Sequence, residues 1–203
     1  MNNPSPQPET ARAISRDDLN VLPVRRYEGP VTLVDTPALL FTALTDIRNE
    51  RVVGLDTETR PAFRKGESYL PSIVQVATAN MAYIFPLRYP DTHAVIAEML
   101  QAQGTAKAGV ALAYDLRTLK QVFPFTEKHV VDLGQVAKRH DYGQSGVRNL
   151  AGIFLGYRIP KGAKTTNWSA PQLTAAQIVY AATDAWVCRE LYLRFEKGGL
   201  LRG

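Results

Sequence analysis

The stretch Val52-Val53-Gly54-Leu55-Asp56-Thr57-Glu58 decides the fold. Its first four residues are apolar or small and rich in β-branched side chains, the pattern of a buried strand. The run then ends on two carboxylates. In a strand, residues i and i+2 point to the same face, so Asp56 and Glu58 emerge side by side. Burial at the end of an inner strand would sharpen their mutual repulsion, and a divalent cation is the natural compensation. A pair of solvated acids at an exposed strand end is the alternative, and the rest of the chain has to separate the two.

Working outward, Val31-Thr32-Leu33-Val34 predicts a short strand. Thr36 followed by Pro37 predicts a helix start, with apolar residues recurring at helical spacing to about Asn49. Thr59 to Pro71 is a loop leaving directly from the two carboxylates. Ile73–Thr78 and Met81–Phe85 are two strands joined at Ala79-Asn80. A helix is expected over Thr92–Gln101, a buried strand over Ala106–Leu112, and a helix beginning at Tyr114. Val130–Asp132 is a short strand running into a helix that reaches His140. Val147–Phe154 is helical and closed by Gly156. Lys161–Pro171 is an irregular basic loop. Thr174-Ala175-Ala176-Gln177 is a capping box that opens the last long helix, which stops at Gly198-Gly199. Three strands in a meander and then strands alternating with helices make an α/β fold, with a central mixed sheet of antiparallel meander plus parallel strands flanked by α-helices.

Composition narrows the class. The 203 residues suit a single domain with a sizeable core, and 45% hydrophobic content is ordinary for a globular protein. Residues 1–30 are polar and proline-spiked and read as a flexible N-terminal arm, leaving 31–203 as the domain. No apolar run reaches membrane-spanning length, the start does not have the form of a signal peptide, and the single Cys188 fits a reducing, cytoplasmic setting. The net charge of +5 points to an anionic partner. Residues 138–164 carry that same balance by themselves: Lys138, Arg139, Arg148, Arg158, Lys161 and Lys164 against Asp141.

Two further acids complete a constellation. Tyr180 and Asp184 sit at i and i+4 on the last helix and share a face, and Asp184 lies among alanines, an odd place for a free charge. Asp115 follows a buried strand at a helix start, where sites assemble in open α/β sheets. Carboxylates gathered without histidine or cysteine select hard cations, Mg2+ or Mn2+. Paired cations of that kind cleave phosphodiesters, and a tyrosine one turn from a ligand can orient the attacking water.

Asp56-Thr57-Glu58, Gly109 six residues before Asp115, and Tyr180-Ala181-Ala182-Thr183-Asp184 resemble, in order, the three motifs of the DEDDy 3′–5′ exonucleases, in the branch of ribonuclease D and the Werner exonuclease domain. Pro71–Ala77, Asn167-Trp168-Ser169 and Leu173-Thr174 extend the resemblance over about residues 31–197, and Ala111 stands where the proofreading members carry Asn. The resemblance implies a ribonuclease H-like fold. It implies one cation held by Asp56, Glu58 and Asp184, and a second held mainly by Asp56 with Asp115 acting through water. It implies Tyr180 positioning the water, and release of nucleoside 5′-monophosphates from a free, single-stranded or frayed 3′ end, with DNA set slightly ahead of RNA. A ribonuclease D-like RNA trimmer and a non-catalytic nucleic-acid-binding module are the alternatives. Thr59 and Arg60 are expected near the terminal nucleotide, Arg148, Lys161 and Lys164 on phosphates, and Trp168 either stacked on a base or buried as an anchor of the last helix.

Overall fold

The strands are β1 (Val31–Leu33), β2 (Val52–Thr59), β3 (Pro71–Ala77), β4 (Ala82–Pro86), β5 (Ala106–Gly109) and β6 (Val130–Asp132). In the computed structural model, which describes residues 11–162 and 165–202, they form one sheet in the order β1-β4-β3-β2-β5-β6. The β2–β3 and β3–β4 pairs are antiparallel, while β2–β5, β5–β6 and β1–β4 are parallel. The strand that ends on the two carboxylates is therefore interior, between β3 and β5. The helices are α1 (Arg16–Val21), α2 (Pro37–Arg48), α3 (Asp91–Gln101), α4 (Leu112–Leu119), α5 (Leu133–Arg139), α6 (Val147–Leu150) and α7 (Ala175–Lys197). A π-helical turn, Ala151–Leu155, continues α6.

Alternation along β2 divides the core. Val53 and Leu55 point to one face, where Leu40, Ile47, Ile96, Leu112 and Leu116 of α2, α3 and α4 cover them. Val52 points to the other, with Leu133, Leu150, Phe154, Cys188 and Phe195. Gly54 continues that second face, and its missing side chain lets α7 come close: a Cβ there would lie 1.8 Å from the carbonyl oxygen of Ala185. Asp56 and Glu58 are the next two residues on the same side, so they open toward α7.

The local signals around α2 and α7 act as the sequence predicts. Thr36 caps α2, and the capping box of Thr174 and Gln177 is fully formed at α7. Two expectations are corrected. The strand over Ala106–Leu112 stops at Gly109, because Ala111 turns left-handed (φ 60°) and Asp132 captures its amide and that of Leu112, so α4 begins at Leu112. The helix over Val147–Phe154 relaxes into the π turn. Within the expected arm, residues 14–27 make contacts with the body. Ile14 and Gln144 exchange two hydrogen bonds, Val24 bridges to Arg158, and the Tyr27 amide donates to Thr183 on α7. Residues 1–10 of that arm, and Lys164, lie outside the described residues.

Candidate active site

Three carboxylates meet where β2 runs out under α7. Ligand oxygens of Asp56, Glu58 and Asp184 lie within 4.8 Å of one another. Glu58 and Asp184 are each 8% exposed, while Asp56 keeps a partly open side. The register of β2 against β3 shifts between Glu58 and Thr59, a bulge that ends regular pairing at the site and redirects the chain into the following loop. Gln75, opposite Asp56 on β3, donates Nε2–H to an Asp56 oxygen at 3.2 Å and orients it.

Asp115 comes to the same rim from the other face. Its carboxylate accepts the Thr57 hydroxyl at 2.6 Å, so the residue between the two strand acids ties the fourth acid to them. It stands beside the three-oxygen group and is close enough for its charge to act on Asp56. Asp132 fixes the start of α4 by accepting four backbone amides, of Ala111, Leu112, Gly134 and Gln135.

Electrostatics bears on what the group can hold. Burial, followed by the charges of Asp184, Glu58 and Asp115, pushes the Asp56 carboxyl well above its ordinary range. Burial raises Asp115 as well, and the Thr57 hydroxyl opposes that rise. The donor set is all carboxylate oxygen, which fits a hard divalent ion. Tyr180 hydrogen-bonds to Asp184, and burial together with Asp184 and Glu58 lifts its phenol far above the usual value. At neutral pH it is therefore a protonated donor and not a phenolate. Its ring packs against Gly162, where a Cβ would approach within 2.3 Å.

The remaining expected residues divide. Thr59 is partly exposed at the strand end, and Arg60 is exposed with its guanidinium over the Tyr69 ring at 4.8 Å. Arg148 and Lys161 line a cleft of about 510 Å³ beside α1 and α6. Trp168 is 1% exposed and packs with Ile73, Ile84 and Ala181, its ring centroid 6.0 Å from that of Tyr180. It lies under α7, and that burial favours the anchor of its two expected roles. Cys188 is buried with its thiol held protonated by burial, which leaves no nucleophile there. His93, His129 and His140 each bond a backbone carbonyl. Sequence reading passed over Gly54, Thr57, Gln75 and Asp132. Thr57 and Gly54 sit inside the quoted stretch, but their partners are 58 and more than 100 positions away.

Comparison with known proteins agrees with this architecture. A family model described as 3′–5′ exonuclease matches residues 31–199, and the chain belongs to that family. It is 30% identical over 164 residues to ribonuclease D of Haemophilus influenzae, covering 77% of this chain and 40% of that enzyme. The chain spans between 19% and 61% of the length of the curated relatives it matches. Among solved structures it resembles the Nibbler EXO domain of Aedes aegypti (TM-score 0.75, 22% identity, 85% of this chain and 90% of that one). It also resembles Trypanosoma brucei RNase D in complex with RNA U12 (TM-score 0.71, 19% identity, 87% and 64%). The ribonuclease H-like fold is thus the one found. Among the described residues, no helix is long and apolar enough to cross a membrane.

Proposed function

We propose that this domain is a metal-dependent 3′–5′ exonuclease that removes nucleoside 5′-monophosphates from the free 3′ end of a single-stranded or frayed nucleic acid, in a cytoplasmic setting. The observation that carries the reading is the convergence of Asp56, Glu58 and Asp184 within 4.8 Å, beside Tyr180, in a chain of this family. Asp56, Glu58 and Asp184 would hold one Mg2+ or Mn2+, and Asp56 with Asp115 a second; the ions would supply charge neutralisation at the scissile phosphate and a lower pKa for the attacking water.

The chain's own residues do the rest. Tyr180, protonated and bonded to Asp184, orients the water rather than removing its proton. Gln75 and Thr57 hold the Asp56 and Asp115 carboxylates in place. Thr59 and Arg60 meet the terminal nucleotide from the loop that leaves β2. The water oxygen bonds to phosphorus, the P–O3′ bond breaks, and the departing 3′ oxygen takes a proton to leave a new 3′-hydroxyl.

A ribonuclease D-like RNA 3′-trimming activity is the second reading, supported by the identity to the Haemophilus enzyme. A non-catalytic binding module accounts less well for four acids and a tyrosine all intact. The test is a time course on 3′- and 5′-labelled DNA and RNA single strands with Mg2+, Mn2+ or EDTA. Stepwise shortening from the 3′ end is expected, halted by EDTA and by Asp56→Ala, with the DNA and RNA arms fixing the sugar. Internal cleavage, or activity surviving both treatments, would overturn the proposal.

A further inference from the structure

The segment before the matched family region is built into the surface beside the site. From Ile14 to Tyr27 it is fastened by the Gln144 bonds, by the exchange of Arg25 and Pro23 with the backbone of Arg158, and by the Tyr27 amide on Thr183, one residue from Asp184. Leu19 is buried, and a Cβ on Gly152 would strike its side chain, so α1 lies directly on the π turn. Trp186 of α7 is flanked by the rings of Tyr27 and Tyr157.

Two clefts result, and this segment forms a wall of each. One, of about 370 Å³, begins at Asp184 and Tyr180 and is closed by Arg26, Pro160 and Gly162. The other, of about 510 Å³, is lined by Arg16, Asn20, Gln144, Arg148, Asn149 and Lys161. Consecutive residues Pro160, Lys161 and Gly162 divide between them, so the clefts adjoin across a single turn of chain. Their charge is one-sided. Arg16, Arg26, Arg148 and Lys161 line them, and the only carboxylate among the described lining residues is Asp184. The acids of α1 do not line the cleft, and Asp18 is engaged with Ser15. Arg148 keeps its Nε–H buried without a hydrogen-bond partner, a donor set in the wall and awaiting an acceptor.

Resting on the exonuclease reading, we propose that residues 14–27 build a phosphate-binding track for the strand upstream of the 3′ end, running from Asp184 past Arg26 and Lys161 to Arg148 and Arg16. The occupant is a single strand of nucleic acid several nucleotides long. Four cations spaced along a groove that starts at the carboxylates suit a polyanion, whereas a compact mononucleotide would leave the far cleft unused. The track makes the enzyme favour long single strands over dinucleotides, and it reads backbone rather than base.

The experiment measures the 203-residue chain in two ways. First, a fluorescent 12-mer is bound in EDTA, without turnover, across a salt series for wild type, Arg16→Ala, Arg26→Ala, the double variant and Arg16→Lys. With four phosphate contacts the log–log salt slope of wild type should be about −3, and each alanine should reduce it by about 0.7. Arg16→Lys should keep the wild-type slope. Second, kcat/KM is compared on the 12-mer and a dinucleotide with Mg2+. The alanine variants should lose on the order of tenfold on the 12-mer, and several-fold less on the dinucleotide. Equal losses at both lengths, a salt slope unmoved by the alanines, or a salt-insensitive affinity would each overturn the track. An inactive wild type that still binds the 12-mer with the expected slope would sink the exonuclease reading and leave the track standing.

Discussion

Replacing Gly54 with alanine probes the contact on which the site is built. A Cβ at this position would lie 1.8 Å from the Ala185 carbonyl oxygen and 2.9 Å from the Arg189 amide nitrogen. Both are backbone atoms in the middle of α7, with no flexible side-chain end to swing away. To restore an ordinary contact of 3.4 Å the helix would have to retreat by about 1.6 Å. Overpacking of this kind costs about 1–3 kcal/mol, which for a chain of this size is a Tm loss of roughly 2–12 °C. The larger effect falls on the chemistry. Asp184 precedes Ala185 directly, so any retreat separates it from Asp56 and Glu58 on the strand. Misplacement by about 1 Å costs on the order of 100-fold in rate, and kcat/KM should fall by at least that much. Mg2+ affinity should weaken in parallel, because one of three ligands has moved. Circular dichroism melting, isothermal titration with Mg2+ and the labelled-strand assay measure the three consequences. A Gly54→Ala protein with unchanged Tm and full activity would refute the claim that close strand–helix approach sets the carboxylate spacing.

Tyr180→Phe should lower kcat by about 100-fold while leaving Mg2+ affinity near wild type, since only a hydrogen-bond donor is lost; unchanged turnover would make Tyr180 a packing residue. Thr57→Val removes the hydroxyl that favours the ionised Asp115, so the acid limb of the pH–rate profile should move to higher pH, with kcat/KM roughly tenfold lower. A limb that stays put would break the link between Thr57 and Asp115. Asp56 carries a raised pKa in the metal-free fold, so the folded chain binds more protons than the unfolded one between the two pKa values. In EDTA, Tm should therefore fall as pH rises through that window, and Mg2+ should restore it. Asp56→Asn should flatten the EDTA curve and weaken the Mg2+ effect. A wild-type Tm indifferent to both pH and Mg2+ would contradict the crowding of the acids.

The helix caps and the strand periodicity were legible because each depends on residues a few positions apart. Thr174 and Gln177 specify the start of α7 within one turn, and the apolar run before Asp56 announces an interior strand. The contacts of the arm were not legible, for the opposite reason. Its proline-spiked composition has no periodicity, yet its anchors are Gln144, Arg158 and Thr183, at least 130 positions away. The premature end of β5 is of the same kind, since the turn at Ala111 depends on a carboxylate 21 residues downstream. From sequence Trp168 suits a buried anchor more than a base, and its packing against Ile73, Ile84 and Ala181 is what the anchor reading expects.

By itself the sequence determined the chemical inventory: four acids and a tyrosine, in an order and spacing that resemble the motifs of one family. Only the tertiary structure decided that three of those acids come within 4.8 Å of one another, that Thr57 tethers the fourth, and that the N-terminal segment lines the clefts beside Asp184. The physical reason is that side-chain type and local periodicity are properties of neighbours in the chain. Carboxylate spacing depends instead on how closely a helix can lie on a strand more than a hundred residues away, and at Gly54 that distance is set by the absence of a single carbon.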